Sequence, residues 1–117
     1  MKNEKRGRIF KGIISLIILK LLWNHASYGY SLEREISRGL GENLSSGEIY
    51  SILRNLEIRG LVKSAVNPEP GRKRKYYEIS AEGREYLLKQ ARSMDVAISY
   101  IEELRKFVHS VADEVKS

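Results

Sequence analysis

The chain has 117 residues, 42% of them hydrophobic, and a formal net charge of +6. That length can bury one modest core, so a single compact domain with one extended element is expected and a second domain is excluded. Cysteine is absent and His25 and His109 are the only histidines, which excludes disulfides and thiolate metal sites and leaves little for acid–base chemistry; an intracellular, cytoplasmic setting is expected.

Charge is unevenly placed. Residues 1–80 hold 15 of the 21 cations against 8 acids, while residues 81–117 hold 6 against 7. The basic excess therefore lies in the amino-terminal two thirds, as expected if that part meets a polyanion, although solubility alone would also account for such a charge. The first eight residues carry Lys2, Lys5, Arg6 and Arg8 with no hydrophobic pattern, an arm that either solubilises the end or reaches a minor groove or phosphates.

From Ile9 to about Asn24, Phe10, Ile13, Ile14, Ile17, Leu21 and Leu22 recur at helical spacing, and Leu16, Ile18 and Leu19 leave hardly any polar face. A helix apolar almost all round must be covered on several sides, so Ile13 and Ile17 are expected at an interface with a second subunit. The run Ile13–Trp23 is too short to span a bilayer and is interrupted by Lys20, which assigns it to the core and predicts no membrane association. A short second helix follows from about Tyr28 to Arg38, with Ser27 as a cap and Gly39 and Gly41 closing it.

The segment 44–60, LSSGEIYSILRNLEIRG, organises the rest. Ser45 with Glu48 three residues on is a capping box, and Leu44 is placed to staple onto Ile49, so a helix starts here. At about 100° per residue, Ile49, Ile52, Leu53 and Leu56 share one side, whereas Gly47, Tyr50, Ser51 and Arg54 share the other. An ordinary solvated face carries dense Lys and Glu; this one offers short polar residues, a tyrosine and one arginine, as a helix entering a DNA groove requires. Ser45, Ser46, Gly47, Tyr50, Ser51 and Arg54 are the expected DNA-contacting residues. Gly60 supplies the left-handed residue that ends the helix. The connection from Gly39 to Leu44 is longer than the turn of a minimal helix-turn-helix and fits a winged variant.

After Gly60, Leu61, Val62 and Val66 predict a strand, and Tyr76, Tyr77 and Ile79 its antiparallel return. Between them NPEPGRKRK breaks regular structure and sets Arg72, Lys73, Arg74 and Lys75 in succession at the tip and descending edge. A strand, a basic loop and a strand make a wing that reaches phosphates beside the helix. Ser80 caps a last helix predicted from Ala81 to about Val115, along which Leu87, Ala91, Met94, Ile98, Ile101, Leu104, Val108, Val111 and Val115 recur at steps of three and four. That is a coiled-coil-like seam, widened by Val96, Ala97, Tyr100 and Phe107, and its simplest partner is the same helix of a second subunit. The expected architecture is mainly α with a two-stranded β-wing: a winged helix-turn-helix domain over residues 1–80 and a dimerisation helix over 81–117.

In this order and spacing, FKGIISLIIL, YGYSL, LSSGEIYSILRNLEIRGLV and GRKRKYYEISAEGREYL resemble the PadR family of bacterial and archaeal transcriptional regulators. The resemblance covers most of residues 10–88 and implies a homodimeric winged-helix repressor on a pseudo-palindromic operator. It matches Tyr50 to the recognition-helix tyrosine, Arg72 and Arg74 to the wing arginines, and Tyr76 and Tyr77 to the aromatic pair that follows. The chain resembles the shorter branch, with one dimerisation helix. Some members take a small-molecule effector, a drug or phenolic acid, at the dimer interface; here Tyr100 and Phe107 are the aromatic residues near the middle of the last helix.

The mechanism expected places two recognition helices about 34 Å apart, one turn of double-stranded DNA. Arg54 reaches a guanine edge or a phosphate, Ser46 and Ser51 bond phosphates or bases, and Tyr50 packs on sugar or a thymine methyl. The wing cations supply affinity rather than sequence preference. An enzyme is not expected, since no Gly-x-Ser-x-Gly or His-rich string occurs and Glu33, Glu35, Glu102 and Glu103 read as solvated residues; no cofactor is implied. The competing reading is a nonspecific nucleic-acid binder, or a protein-interaction module that turns the same basic face to RNA or an acidic protein.

Overall fold

The computed structural model describes residues 7–41, 44–68 and 74–116, with side chains from Lys11 onward except that of Ser46. Its elements in chain order are α1 (Gly7–Leu21), β1 (Ser27–Tyr28), α2 (Gly29–Leu40), α3 (Ser46–Ile58), β2 (Val62–Val66), β3 (Lys75–Ile79), α4 (Ala81–Lys89) and α5 (Ala91–Lys116). The chain divides into two compact units, Met1–Leu87 and Leu88–Ser117.

In the first unit α1, α2 and α3 pack on one another around Ile14, Ile18, Leu19 and Leu22 of α1, Leu32 and Ile36 of α2, and Ile49, Ile52, Leu53 and Leu56 of α3. Leu44, Leu61, Val62 and Tyr77 complete the cluster. The α3 face expected to be buried is therefore the buried one. For α1 the stripe differs. Ile14, Ile18 and Leu22 point inward, Ile17 and Leu21 are half-buried against the core, and Ile13 is 43% exposed. A helix apolar on all sides carries no internal sign of which stripe its neighbours will take, and α2 and α3 take the one through Ile14. Ile17 is thus held by its own core, which leaves Ile13 as the open position of the pair; the side chain of Phe10 lies outside the described residues.

The two wing strands pair antiparallel from Val62↔Ile79 to Val66↔Lys75. A third strand, β1, adds to the other edge of β3 through Ser27↔Tyr77 and Tyr28↔Tyr76, giving the order β1-β3-β2. Two residues are too short for a period-two pattern, so the sequence reading places Tyr28 at a helix start. In the structure it is the extended cap residue of α2.

Both ends of α3 are closed by local hydrogen bonds. Ser45 N–H donates to Glu48 Oε1 and Glu48 N–H to Ser45 Oγ, each at 3.2 Å, the reciprocal box expected from S-x-x-E. At the other end Gly60 adopts φ +77°, its N–H donates to Glu57 O at 3.0 Å, and Leu61 N–H donates to Leu56 O at 2.9 Å. This is a Schellman motif, which satisfies carbonyls that would otherwise lack partners. Ser80 joins that end to α4: its hydroxyl donates to Gly60 O at 2.7 Å and accepts from Gly83 N–H at 2.9 Å, while its own N–H donates to Leu61 O at 3.0 Å.

The predicted single helix over 81–115 is divided at Gln90 into α4 and α5. Leu87 is the last residue packed against the core, and every described residue from Ala91 onward is exposed. No glycine or proline stands at the break. The boundary between the units accordingly follows Leu87 rather than Ser80.

A Cβ placed on Gly83 would collide with the Leu61 carbonyl oxygen and lie 2.8 Å from Ile79 Cγ1. Gly83→Ala should lower unfolding free energy by about 2 kcal/mol, the usual cost of forcing a methyl into filled space. Gly12→Ala on the exposed side of α1, where an added Cβ meets nothing within 4 Å, should raise it by about 0.5–1 kcal/mol through helix propensity. Urea denaturation of the two variants checks the opposite signs.

Candidate nucleic-acid interface

With Ile49, Leu53 and Leu56 fully buried, α3 turns Gly47, Tyr50, Ser51, Arg54 and Asn55 outward. Ser45 is exposed at the cap, and the side chain of Ser46 lies outside the described residues. The face is therefore open as expected, with two additions. Asn55 and Ile58, the latter 76% exposed, fall within the same arc by the 100° rule that selects Gly47 and Ser51.

Tyr50 is anchored as well as exposed. It retains 40% of its accessible surface, yet the outer end of its ring lies against the buried Gly29 at the start of α2: a Cβ there would be 2.6 Å from Tyr50 Cε1 and Oη. Only glycine permits that approach. Beneath it, Tyr77 of β3 is buried, and burial first, then proximity to Tyr50 and to Glu57, raises its phenol above the ordinary value of 10.0. Glu57 accepts a hydrogen bond from Ser64 Oγ at 2.6 Å, which ties α3 to β2 beside Tyr77.

The base of the wing is fixed to the start of α2 by contacts that the sequence does not disclose. Asn67 N–H donates to Arg74 O at 2.9 Å and closes the hairpin, and Asn67 Nδ2 donates to Tyr28 Oη at 2.7 Å. Arg74 Nη1 donates to Tyr30 Oη at 2.9 Å, with the guanidinium carbon 5.1 Å from the Tyr30 ring centroid. Tyr28 stacks on Tyr30 with centroids 5.5 Å apart and meets Tyr76 edge-on at 6.2 Å. The YGY string was the available signal, though nothing local says what it touches. Lys75 is exposed on β3, while Arg72 and Lys73 lie outside the described residues.

In the second unit the expected interface positions Ala91, Met94, Ile98, Ile101, Leu104 and Val108 are all exposed, as are Tyr100 and Phe107. Leu87 belongs to the first unit and is half-buried against its core. Among the described residues no helix is long and apolar enough to cross a membrane.

Three packed helices, a capped helix with an open polar face and an adjacent antiparallel wing define a winged-helix protein of the DNA-binding type. Residues 18–89 match the PadR-like transcriptional regulator family. An uncharacterised protein of Lysinibacillus sphaericus is 32% identical over 85 residues, covering 70% of this chain and 78% of its own length. Among solved structures, a candidate transcriptional regulator of Thermoplasma acidophilum superposes with a TM-score of 0.80 at 30% identity, covering 86% of this chain and 97% of that one. A PadR family transcriptional regulator of Eggerthella lenta gives 0.70 at 26% identity, with 80% and 81% covered. The chain belongs to the PadR-like family of transcriptional regulators, whose members are regulators and not enzymes.

Because its folded-state pKa is raised, Tyr77 keeps a proton that the unfolded chain releases above about pH 10. Its contribution to stability is full below that pH and is lost as pH rises through the folded-state value. Tyr77→Phe should therefore lose stability less steeply than the parent above pH 10, read from thermal melts across the alkaline range.

Proposed function

We propose that two copies of this chain bind a pseudo-palindromic duplex operator and repress transcription from it, working in the cytoplasm. One observation carries the reading: α3 presents short polar side chains and Arg54 on an open face, directly beside a strand pair whose connecting segment and edge are basic. Short residues such as Gly47 and Ser51 let the helix backbone approach a groove, and Arg54 is long enough to reach a base edge or phosphate. Arg72, Lys73 and Lys75 supply phosphate contacts that orient the reader without selecting sequence.

The second unit supports the dimer. Met94, Ile98, Ile101, Leu104 and Val108 keep 39%, 59%, 50%, 61% and 53% of their accessible surface in one chain, a stripe of apolar surface that monomeric proteins rarely leave open. Their spacing suits knobs-into-holes pairing with the same helix of a second copy, which would hold two α3 helices one helical turn apart.

If each subunit neutralises about four phosphates with Arg54 and the wing cations, log K should fall with log salt at a slope of about −7 for the dimer. Gel shifts with the region upstream of the protein's own gene, a random duplex and single-stranded RNA test this. A slope between about 0 and −2, or equal retention of all three, would rule out the operator reading, and preference for RNA would favour the interaction module. Arg54→Ala should weaken operator binding about tenfold or more and random duplex far less. Leu104→Glu should give a monomer in sedimentation and abolish operator binding at micromolar protein; a variant that stays dimeric would place the subunit contact elsewhere.

A further inference from the structure

Arg74 carries a charge that the sequence assigns to the phosphates, yet its guanidinium is already engaged. It donates to Tyr30 Oη at 2.9 Å and lies 5.1 Å from that ring's centroid, and the Tyr30 ring is stacked on Tyr28, whose hydroxyl accepts from Asn67 Nδ2 just beyond β2. The residue between these tyrosines is Gly29, on which the Tyr50 ring of α3 rests. The segment that opens α2 thus touches both the reading helix and the two residues, Asn67 and Arg74, that close the hairpin where the wing loop begins. We propose that Arg74 is a positioning residue: docked on Tyr30, it sets the wing at a defined place relative to α3, and does not itself neutralise a phosphate.

This inference rests on the DNA-binding reading, and its consequences separate from that reading in salt dependence. A phosphate ligand lost from each subunit flattens the slope of log K against log salt by about two per dimer, whereas a lost positioning contact lowers affinity at an unchanged slope. It also separates in its dependence on Tyr30, which carries no charge. Lysine would replace arginine on a phosphate, but it lacks the planar fork that donates to the Tyr30 hydroxyl while stacking on its ring.

Anisotropy titrations of the full chain on its upstream duplex, across a salt series, would compare Arg74→Ala, Tyr30→Ala, the double variant and Arg74→Lys. The expected result is a loss of about five- to tenfold in each single variant, with a melting temperature lowered by only a few degrees and the parental salt slope. The double variant should be no weaker than the weaker single, and lysine should not rescue. A slope flattened by about two in Arg74→Ala, with Tyr30→Ala binding like the parent or Arg74→Lys restored to it, would overturn the proposal. A measurement without DNA decides the latch independently: amide exchange in β2 and β3 should speed several-fold in both single variants while α1 is unchanged. Should the parent bind no duplex, the operator reading falls, and unaltered exchange in the wing would sink the latch as well.

Discussion

The contact on which the reading head depends is a tyrosine ring laid against a backbone that has no side chain. Tyr50 rests on Gly29, and the opposite side of its helix is held by Ile49, Leu53 and Leu56, all fully buried. Held from both sides, α3 has one rotation about its axis, and that rotation leaves Gly47, Ser51 and Arg54 in solvent. A Cβ at Gly29 would meet the outer end of the Tyr50 ring, which would have to move from its seat. The buried apolar face thus sets which residues of α3 stand open, and a glycine on another helix sets where the Tyr50 ring lies among them.

The far end of α3 is fixed by polar groups beside the buried Leu56 and Leu61. The Schellman bonds at Gly60 and Leu61 close the helix, and the Ser80 hydroxyl, accepting from Gly83 and donating to Gly60, converts that local cap into a joint with α4. Ser80 is 3% exposed, so an unsatisfied hydroxyl there would be costly; both of its bonds are made. Two cation–π contacts brace the same region: Arg59 lies 4.8 Å from the Tyr86 ring centroid, and Arg84 5.1 Å from that of Trp23 while donating to the Trp23 carbonyl. At about 0.5–1 kcal/mol each these are modest, and they lie at the edge of the core, where Tyr86 packs against it.

The second unit has the opposite character. All described residues of its helix α5 are exposed, although apolar positions recur along its whole length. At 26 residues it is about 39 Å long, and an apolar stripe of that length is stable in water only when something covers it. Membership of a family of regulators accounts for the winged unit, and the periodicity of α5 accounts for the self-association proposed for this one.

Much of this was legible before any coordinates. The capping box at Ser45 and Glu48 and the left-handed Gly60 follow from interactions between residues at most five apart, and the buried face of α3 and the strands on either side of the basic loop from short-period patterns of apolar residues. Other features come from neighbours distant in the chain. Which stripe of α1 is buried, why Gly29 must be glycine, that Tyr28 adds a strand to β3, that Arg74 belongs to Tyr30 across 44 residues, and that the last helix breaks at Gln90 all depend on what each residue meets after packing. Local periodicity records only that a surface is apolar or charged; the arrangement of the other helices and strands selects its partner.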